Sequence, residues 1–264
     1  MRHIITVLAG TMLTLGLAGS SCGTKNDSAP AEESVWEYDE FGAGIFCREP
    51  GRKTVHLIFT ADSAFEAGEY ALDAMAARGA KASFFFTGNF LRDSLRNGAV
   101  VRHAIRDGHY VGPHGDRHIL LADWDAARTT LASRDSAVAD MEAAYRELAH
   151  YGIHRDDATI LIPSFEWYNT EHVQAFRDAG LFTINLSPGI ETYRDYTTPD
   201  MSYYHSSEFM WEQLLSRESG DGLDGAIILI HLGTHPDRTD KFYRYLPAIL
   251  DTLTTRGYHF TALK

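Results

Sequence analysis

Short apolar runs alternate with amphipathic segments from residue 55 to the C-terminus. Near-continuous apolar runs rich in β-branched and aromatic residues are typical of parallel strands buried on both faces. Several of the amphipathic segments are followed closely by glycine, the usual stop of a helix. The pattern predicts strands at 55–60, 82–87, 109–112, 159–162, 181–186, 226–230 and 258–261, and helices that include 70–78, 136–149, 171–179, 206–218 and 243–256.

Seven such strands with helices between them, and no break in composition, predict one α/β domain. A closed or nearly closed barrel fits this order, and a doubly wound open sheet is the alternative. In both folds ligands bind at the carboxyl ends of the strands, so the polar residues that follow each strand are the candidates for function.

The first residues have the pattern of an export signal. A short basic start precedes a mostly apolar stretch from Ile4 to Ala18, and small residues lead to Cys22. The stretch is too short for a comfortable membrane span, so 1–21 is predicted to be a signal peptide and Cys22 to carry a lipid. Gly19 stands where a lipoprotein signal usually has an aliphatic residue, and simple cleavage and release is the alternative.

Residues 22–43 begin as a polar, acidic stretch, which predicts a linker between a lipid anchor and a domain at 44–264. Aromatic residues from Trp36 onward leave open that the domain begins earlier. The predicted location is a membrane-anchored lipoprotein in the periplasm or at the cell surface, or a secreted protein. We expect the protein to contact the membrane only through this lipid.

Composition narrows the possible partners. The net charge is −12, from 24 Lys and Arg against 36 Asp and Glu, which argues against general nucleic-acid binding. The chain has only 2 Cys, which excludes a disulfide-rich scaffold, and Cys47 has no neighbouring His or Cys, so we interpret it as structural. Nothing in the sequence indicates an obligate protein partner.

Polar side chains that bind metals follow several predicted strands. Asp62 follows the first strand, His114 and His118 follow the third, and His231 follows the sixth. One carboxylate and several imidazoles at one rim have the composition of a divalent metal site with a position open for water. Taken singly, an Asp after a strand is most often a turn or helix cap, and an isolated pair of histidines is more often two surface residues in a chain that has 13 of them. Their shared placement at strand ends is what favours a metal site.

Five segments carry a family resemblance. Residues 59–63 read Phe-Thr-Ala-Asp-Ser, and 82–85 follow with Ala-Ser-Phe-Phe; residues 114–118 read His-Gly-Asp-Arg-His; 162–165 read Ile-Pro-Ser-Phe; and 229–231 end an apolar strand in His. In this order they resemble the motifs Thr-Phe-Asp-Asp-Gly with Ala-Thr-Phe-Phe, His-Ser/Thr-x-x-His, Arg-x-Pro-Tyr and apolar-apolar-His. These are the motifs of the polysaccharide deacetylase (NodB-homology) family, carbohydrate esterase family four.

The resemblance implies a fold and a set of roles. The fold is a distorted (β/α) barrel of about seven parallel strands, of the NodB-homology type. Asp62, His114 and His118 would bind one divalent metal ion, with zinc as the expected ion, and His231 would protonate the leaving group. The substrate would be an acetylated oligo- or polysaccharide.

Two positions depart from the family pattern. Ala61 stands where the family has the Asp that acts as catalytic base, and Ile162 stands where it has the Arg that orients this base. We predict that Glu166, which follows the fourth strand, replaces the missing base. The alternatives are Glu66, Asp116, or no base at all.

Four residues near these motifs are candidates for substrate binding: Phe165, Trp167, Tyr168 and His235. An insertion at 188–225 carries further aromatic residues, for which sugar stacking and local packing are equally good interpretations. His235 lies in a polar segment that could also cap the last long helix.

The sequence therefore predicts a secreted, metal-dependent carbohydrate deacetylase or related hydrolase with an altered general base. Two alternatives stay open. One is a catalytically lapsed carbohydrate-binding protein on the same barrel, which the absence of a carboxylate at Ala61 favours. The other is a metal hydrolase of different specificity.

Overall fold

A computed structural model describes residues 34–63 and 66–264. Within these residues the chain forms nine strands and seven α-helices. The strands are β1 (Val35–Tyr38), β2 (Gly44–Arg48), β3 (Thr54–Ala61), β4 (Ser83–Phe86), β5 (Tyr110–Pro113), β6 (Ile160–Leu161), β7 (Phe182–Thr183), β8 (Ala226–His231) and β9 (His259–Phe260). The helices are α1 (Gly68–Ala76), α2 (Gly88–Arg92), α3 (Ser94–Arg106), α4 (Arg134–Ala149), α5 (Thr170–Asp178), α6 (Ser207–Gly220) and α7 (Leu246–Thr255).

The seven predicted strands are confirmed as β3 to β9. Strand β3 lies at the centre, where it pairs in parallel with β4, β8 and β9. All eight of its residues are buried, because helices cover one face and the barrel interior covers the other. The sequence pattern missed the N-terminal strands β1 and β2 and the helices α2 and α3.

The sheet curls into a distorted barrel. Strand β2 pairs antiparallel with β8, and an isolated parallel bridge joins Gly44 to Ile184, just after β7. Between β5 and β6 the hydroxyl group of Tyr110 bonds to both backbone polar groups of Ile160, at 2.6 and 2.8 Å. These contacts join the two edges of the sheet, so the open, doubly wound alternative does not form. The interior is filled by apolar side chains that include Ile58, Phe85, Ile160, Ile162, Ile184, Ile227 and Leu229.

Part of the predicted linker belongs to the folded domain. Strand β1 pairs with β2, with Trp36 opposite Cys47, and the Trp36 ring packs edge-on against Phe182 at 4.6 Å between centroids. These aromatic contacts extend the sheet back to Val35. Cys47 is a buried free thiol, and burial raises its pKa to about 11, which keeps it protonated and unreactive.

The predicted signal peptide, 1–21, and the predicted lipidation site, Cys22, lie outside the described residues. Among the residues that the structure does describe, no helix has the length and apolar character to cross a membrane.

Candidate active site

Side chains from four strand ends meet at one rim of the barrel. Asp62 follows β3, His114 follows β5, Glu166 follows β6, and His231 ends β8. The rings of His114 and His118 are 5.0 Å apart between centroids, and His231 lies opposite Thr60 in the β3–β8 pair. The parallel strands therefore bring the predicted residues to one place, as the carboxyl-end rule requires.

His114 is held in the form that binds a metal. Its ring is buried, and Nδ1 lies 3.0 Å from the carbonyl oxygen of Ile162, which can only accept a hydrogen bond. The proton is therefore on Nδ1, and Nε2 keeps its lone pair. Burial, reinforced by the neighbouring His118, lowers the pKa of His114 well below its usual value, so the ring is neutral.

The turn between the two histidines depends on a glycine. Gly115 has φ +80°, and a Cβ added there would lie 2.6 Å from the Ser164 hydroxyl group. That hydroxyl donates to the carbonyl oxygen of His114 at 2.8 Å. Gly115 therefore allows the loop after β6 to lie directly against the loop after β5.

Asp62 is oriented from β4 and α2. Its Oδ1 accepts hydrogen bonds from the Thr87 hydroxyl group at 2.8 Å and from the Asn89 amide at 3.2 Å. Burial lowers the pKa of His118, and the charge of Asp62 opposes this effect. Asp62 and His118 thus interact electrostatically across the rim.

The donors at this rim match a divalent ion in their chemistry. One carboxylate and two imidazoles are a suitable donor set, and the tautomer of His114 is the binding one. Among the described residues, however, no three His, Cys, Asp or Glu side chains are gathered closely enough to surround one ion. The donor types and the tautomer of His114 therefore suit a divalent ion, while the three side chains are not drawn together around one point.

Glu166 points into this pocket. It lies in the 3-10 turn Ser164–Glu166, and its Oε1 is 3.6 Å from Nε2 of His114. Burial raises the pKa of Glu166 to about 7, and the charge of His231 opposes that rise. The predicted base is therefore a pocket residue, and its role in catalysis stays a prediction.

The two other acids considered as the base have partners elsewhere. Glu66 binds the Lys241 ammonium group at 2.9 Å and accepts the backbone N–H of Thr234 at 3.2 Å. Asp116 pairs with the Arg92 guanidinium group. Ala61 and Ile162 are both buried, and neither supplies a polar group where the family has its base and its Arg.

Asp195 is a site residue that the sequence did not reveal. Its Oδ1 lies 2.5 Å from Nδ1 of His231, and its Oδ2 accepts the backbone N–H of His231 at 2.9 Å. Although burial disfavours the charged imidazole, Asp195 outweighs this effect and raises the pKa of His231. Tyr196 contacts the same ring edge-on at 5.8 Å between centroids. The only signal in the sequence was an Asp-Tyr pair in the insertion, which matched the family poorly.

A buried arginine holds the segment that carries Asp195. Arg238 is fully buried and donates to the carbonyl oxygens of Thr197 at 2.8 Å and His205 at 2.9 Å. Its Nε donates to the carbonyl oxygen of Asp240 at 2.7 Å. These bonds tie the insertion at 188–225 to the loop after β8, so Arg238 positions Asp195 next to His231.

Backbone strain is concentrated at the same rim. Within the described residues the non-glycine positions with a left-handed backbone are His118, Arg128, Phe165 and Glu166, with φ between 49° and 62°. Such conformations cost of order 1–3 kcal/mol each and persist where the surroundings enforce them. All four residues lie in the loops after β5 and β6.

The predicted substrate residues divide into two groups. Phe165 is exposed, with its ring 4.2 Å from that of His118 between centroids, and Trp167 is half-buried. Tyr168 is fully buried and donates to Asp39 at 2.8 Å, so its assignment to substrate binding is corrected to core packing. His235 is exposed in the loop after β8, where its Nδ1 accepts the backbone N–H of Asp237.

Residues 48–184 match the family described as polysaccharide deacetylase, and the chain belongs to this family. No curated protein matches it. The fold is similar to that of the Bc1960 peptidoglycan N-acetylglucosamine deacetylase, with a TM-score of 0.62 and 18% identity over 83% of this chain and 89% of that one.

Two further solved structures have the same fold. The family 4 carbohydrate esterase from Streptomyces lividans, solved in complex with acetate, gives a TM-score of 0.60 and 17% identity over 80% of this chain and 93% of that one. BA3943 from Bacillus anthracis, described as a CE4 family pseudoenzyme, gives a TM-score of 0.60 and 18% identity over 81% and 65%. At these identities the likeness establishes the fold, a distorted NodB-type barrel.

Proposed function

We propose that the protein is a metal-dependent deacetylase of acetylated glycans in which Glu166 replaces the family's catalytic base. The observation that carries this proposal is the position of the Glu166 carboxyl group, 3.6 Å from Nε2 of His114 and electrostatically coupled to His231. A carboxylate here can reach a water molecule in the pocket directly or through one other water, as a general base must.

In this proposal Asp62, His114 and His118 hold one divalent ion, with zinc as the expected ion. The ion would supply Lewis acidity, polarising the acyl carbonyl group. The donor types and the Nδ1–H tautomer of His114 support the assignment.

The chain's own residues would then move two protons. Glu166 accepts a proton from the water that attacks the acyl carbon. His231 enters the reaction as the imidazolium, the form that Asp195 favours, and donates a proton from Nε2 to the departing amine or alkoxide. One carboxylate and one imidazole thus act as base and acid.

The second candidate function is carbohydrate binding without turnover. The observation that favours it is the pair Ala61 and Ile162, because both the base and the residue that would orient it are absent from their usual places. A mutant of BA3943 is described as a CE4 family pseudoenzyme with restored enzymatic activity, so inactive members of this fold exist. A metal hydrolase with a different substrate is the third candidate.

Acetate release separates these candidates. The full chain is incubated with acetylated chitin and xylan oligosaccharides and with peptidoglycan, with and without a chelator. Chelator-sensitive release supports the deacetylase. Glycan binding without acetate release supports the carbohydrate-binding protein without turnover. Acid release only from acyl compounds other than these glycans supports a metal hydrolase with a different substrate.

We also propose that the chain is exported and anchored through a lipid on Cys22, or released by simple cleavage. The support is the basic start, the apolar stretch and the cysteine after small residues. Mass spectrometry of the N-terminal peptide decides between the two. A lipid-modified Cys22 at the N-terminus supports the anchor, and an unmodified Cys22 excludes it.

A further inference from the structure

The two histidines after β5 are held in different ways. The His114 ring is fixed by its own hydrogen bond, from Nδ1 to the carbonyl oxygen of Ile162 at 3.0 Å. The His118 ring makes no hydrogen bond to any residue that the structure describes, and its ring neighbours are His114 and Phe165. The direction of the His118 side chain is therefore set by the backbone that carries it.

That backbone is left-handed at His118, with φ 53°. A non-glycine residue in this region costs of order 1–3 kcal/mol and stays there only where its surroundings enforce the conformation. We refer to residues 115–117, which lead into His118, as the ligand turn. Whatever attaches the ligand turn also keeps His118 in its strained backbone and its ring in place.

The first turn of α2 attaches the ligand turn on one side. The backbone N–H of Gly88 donates to the carbonyl oxygen of Gly115 at 3.0 Å, and the N–H of Asn89 donates to the carbonyl oxygen of Asp116 at 2.9 Å. These bonds pair carbonyl groups of the turn. Its N–H groups have to find acceptors on another element.

One buried carboxylate on α4 accepts two of these N–H groups. Oδ2 of Asp140 accepts the N–H of Asp116 at 2.8 Å, and Oδ1 accepts the N–H of Arg117 at 3.3 Å. The Arg117 guanidinium group also lies 3.6 Å from Oδ1, but its side chain is 70% exposed, where an ion pair contributes little. The backbone bonds are therefore the main contribution of Asp140 to the turn.

An Asp at this position is not explained by the helix or by packing. Asp140 is only 6% exposed in the middle of α4, although Asp is a weak helix former and is seldom buried. A buried carboxylate costs free energy unless hydrogen bonds compensate it. A Cβ added at Gly115 would lie 2.9 Å from Oδ2, so the turn lies directly against this carboxylate. The contact indicates that Asp140 is there to hold the turn.

We propose that Asp140 is a positioning residue that aims His118 at the metal ion through the ligand turn. This inference rests on the proposed function, because it requires a metal site at this rim. With two N–H groups anchored, the His118 ring stays 5.0 Å from the His114 ring between centroids. Without the carboxylate the turn can relax, and one ligand loses its direction. Groups that orient metal ligands commonly change metal affinity by about 10-fold to 100-fold.

The test measures zinc affinity. The full chain is freed of metal, and zinc is added in competition with a chelating dye. Asp140→Asn keeps the shape of the side chain but removes its charge and replaces one acceptor oxygen with an NH2 group. We expect its Kd for zinc to be roughly tenfold to a hundredfold weaker than that of the wild type.

Glu142→Gln is the matched control. It also removes a carboxylate from α4, but Glu142 pairs with Arg155 and not with the ligand turn. Its Kd for zinc should stay near that of the wild type. Urea denaturation of the metal-free variants shows whether they are folded, and Asp140→Ser, which keeps a shorter acceptor, takes the place of Asp140→Asn if that variant is not.

A second comparison shows whether Asp140 acts through His118. In His118→Ala this ligand is already lost, and the weaker zinc binding that remains is followed by calorimetry. Adding Asp140→Asn should then change the Kd by less than about twofold, because two changes that act on one contact are not additive. A change that acted on the fold as a whole would cause the same loss with and without His118.

The outcomes separate this inference from the proposed function. An unchanged Kd in Asp140→Asn, or an equal loss in the wild-type and His118→Ala backgrounds, would overturn the positioning role while the metal site stands. A wild type that binds no zinc would overturn the proposed metal site and the positioning role together.

Discussion

His231 and Asp195 form a close pair at the end of β8, with Nδ1 and Oδ1 2.5 Å apart. The second carboxylate oxygen accepts the backbone N–H of the same histidine, so Asp195 fixes both the ring and the strand end. The carboxylate keeps a proton on Nδ1 and turns Nε2 toward the pocket. The geometry is that of an imidazole prepared to act as an acid.

Asp195→Asn is predicted to shift the pH profile. The charge of Asp195 raises the pKa of His231, and Glu166 adds to the effect, so loss of Asp195 lowers that pKa. A general acid works only while it is protonated. The loss of activity at alkaline pH should therefore begin at a lower pH in the variant than in the wild type. We expect kcat at neutral pH to fall by roughly tenfold to a hundredfold. The profile of kcat/KM from about pH 5 to about pH 10 measures the shift.

Asp200→Asn serves as the control for this shift. Asp200 is exposed in the same insertion and accepts from the Thr198 hydroxyl group. Its variant should keep the wild-type profile. An alkaline limb that does not move in Asp195→Asn would show that this carboxylate does not set the protonation of the acid.

Metal content is predicted to depend on the two histidines after β5. The wild type, loaded with zinc and dialysed, should retain about one ion per chain, and His114→Ala/His118→Ala should retain none, because the nitrogen ligands are lost. Elemental analysis measures this without any assay of activity. The pair His150 and His154 has the same spacing on the surface, and its double alanine variant should keep the ion. Equal zinc content in both double variants would refute the site.

Arg238→Met is predicted to destabilise the fold by about 3 kcal/mol. The change leaves the carbonyl oxygens of Thr197, His205 and Asp240 without their donor. A buried acceptor without a partner costs of order 1–3 kcal/mol, and partly buried ones, which water can reach, cost less. Urea denaturation measures the free energy of unfolding. Arg134→Met, which removes an exposed ion pair with Asp178, should change it little. Similar losses of stability in the two variants would show that the hydrogen bonds of Arg238 do not stabilise the fold in this way.

Much of the fold could be predicted because parallel strands are buried on both faces. The run that became β8 is apolar up to His231, and β3 has apolar residues at five of its eight positions, a density that surface segments do not have. Strand β1 has only one partly buried residue, so its sequence has no apolar face that marks it as a strand. Helix α3 is amphipathic, but its buried face includes Asn97 and Gly98 beside its valines, and the sequence analysis did not assign it.

The site could be predicted only where a motif or a strand end marked it. Asp62 and His114 stand directly after strands, His118 lies in the loop after β5, and His231 is the last residue of β8. Their partners come from distant segments: Asp195 lies 36 residues before the histidine it contacts, and that separation leaves no local pattern.

The sequence also gives no sign of whether an aromatic side chain after a strand points into the core or toward solvent. Tyr168 turned inward while Phe165, three residues earlier, turned outward through a left-handed backbone that the sequence does not indicate.

The most direct test of the account is the turnover of Glu166→Gln beside Glu66→Gln. Both changes remove a carboxylate and keep its shape, but the Glu66 carboxylate is already paired with Lys241. Steady-state acetate release is measured on the acetylated glycan that the wild type hydrolyses best, together with zinc content. The account predicts that kcat falls by roughly a hundredfold or more in Glu166→Gln, with zinc unchanged, and stays near the wild type in Glu66→Gln. Wild-type turnover in Glu166→Gln would contradict it.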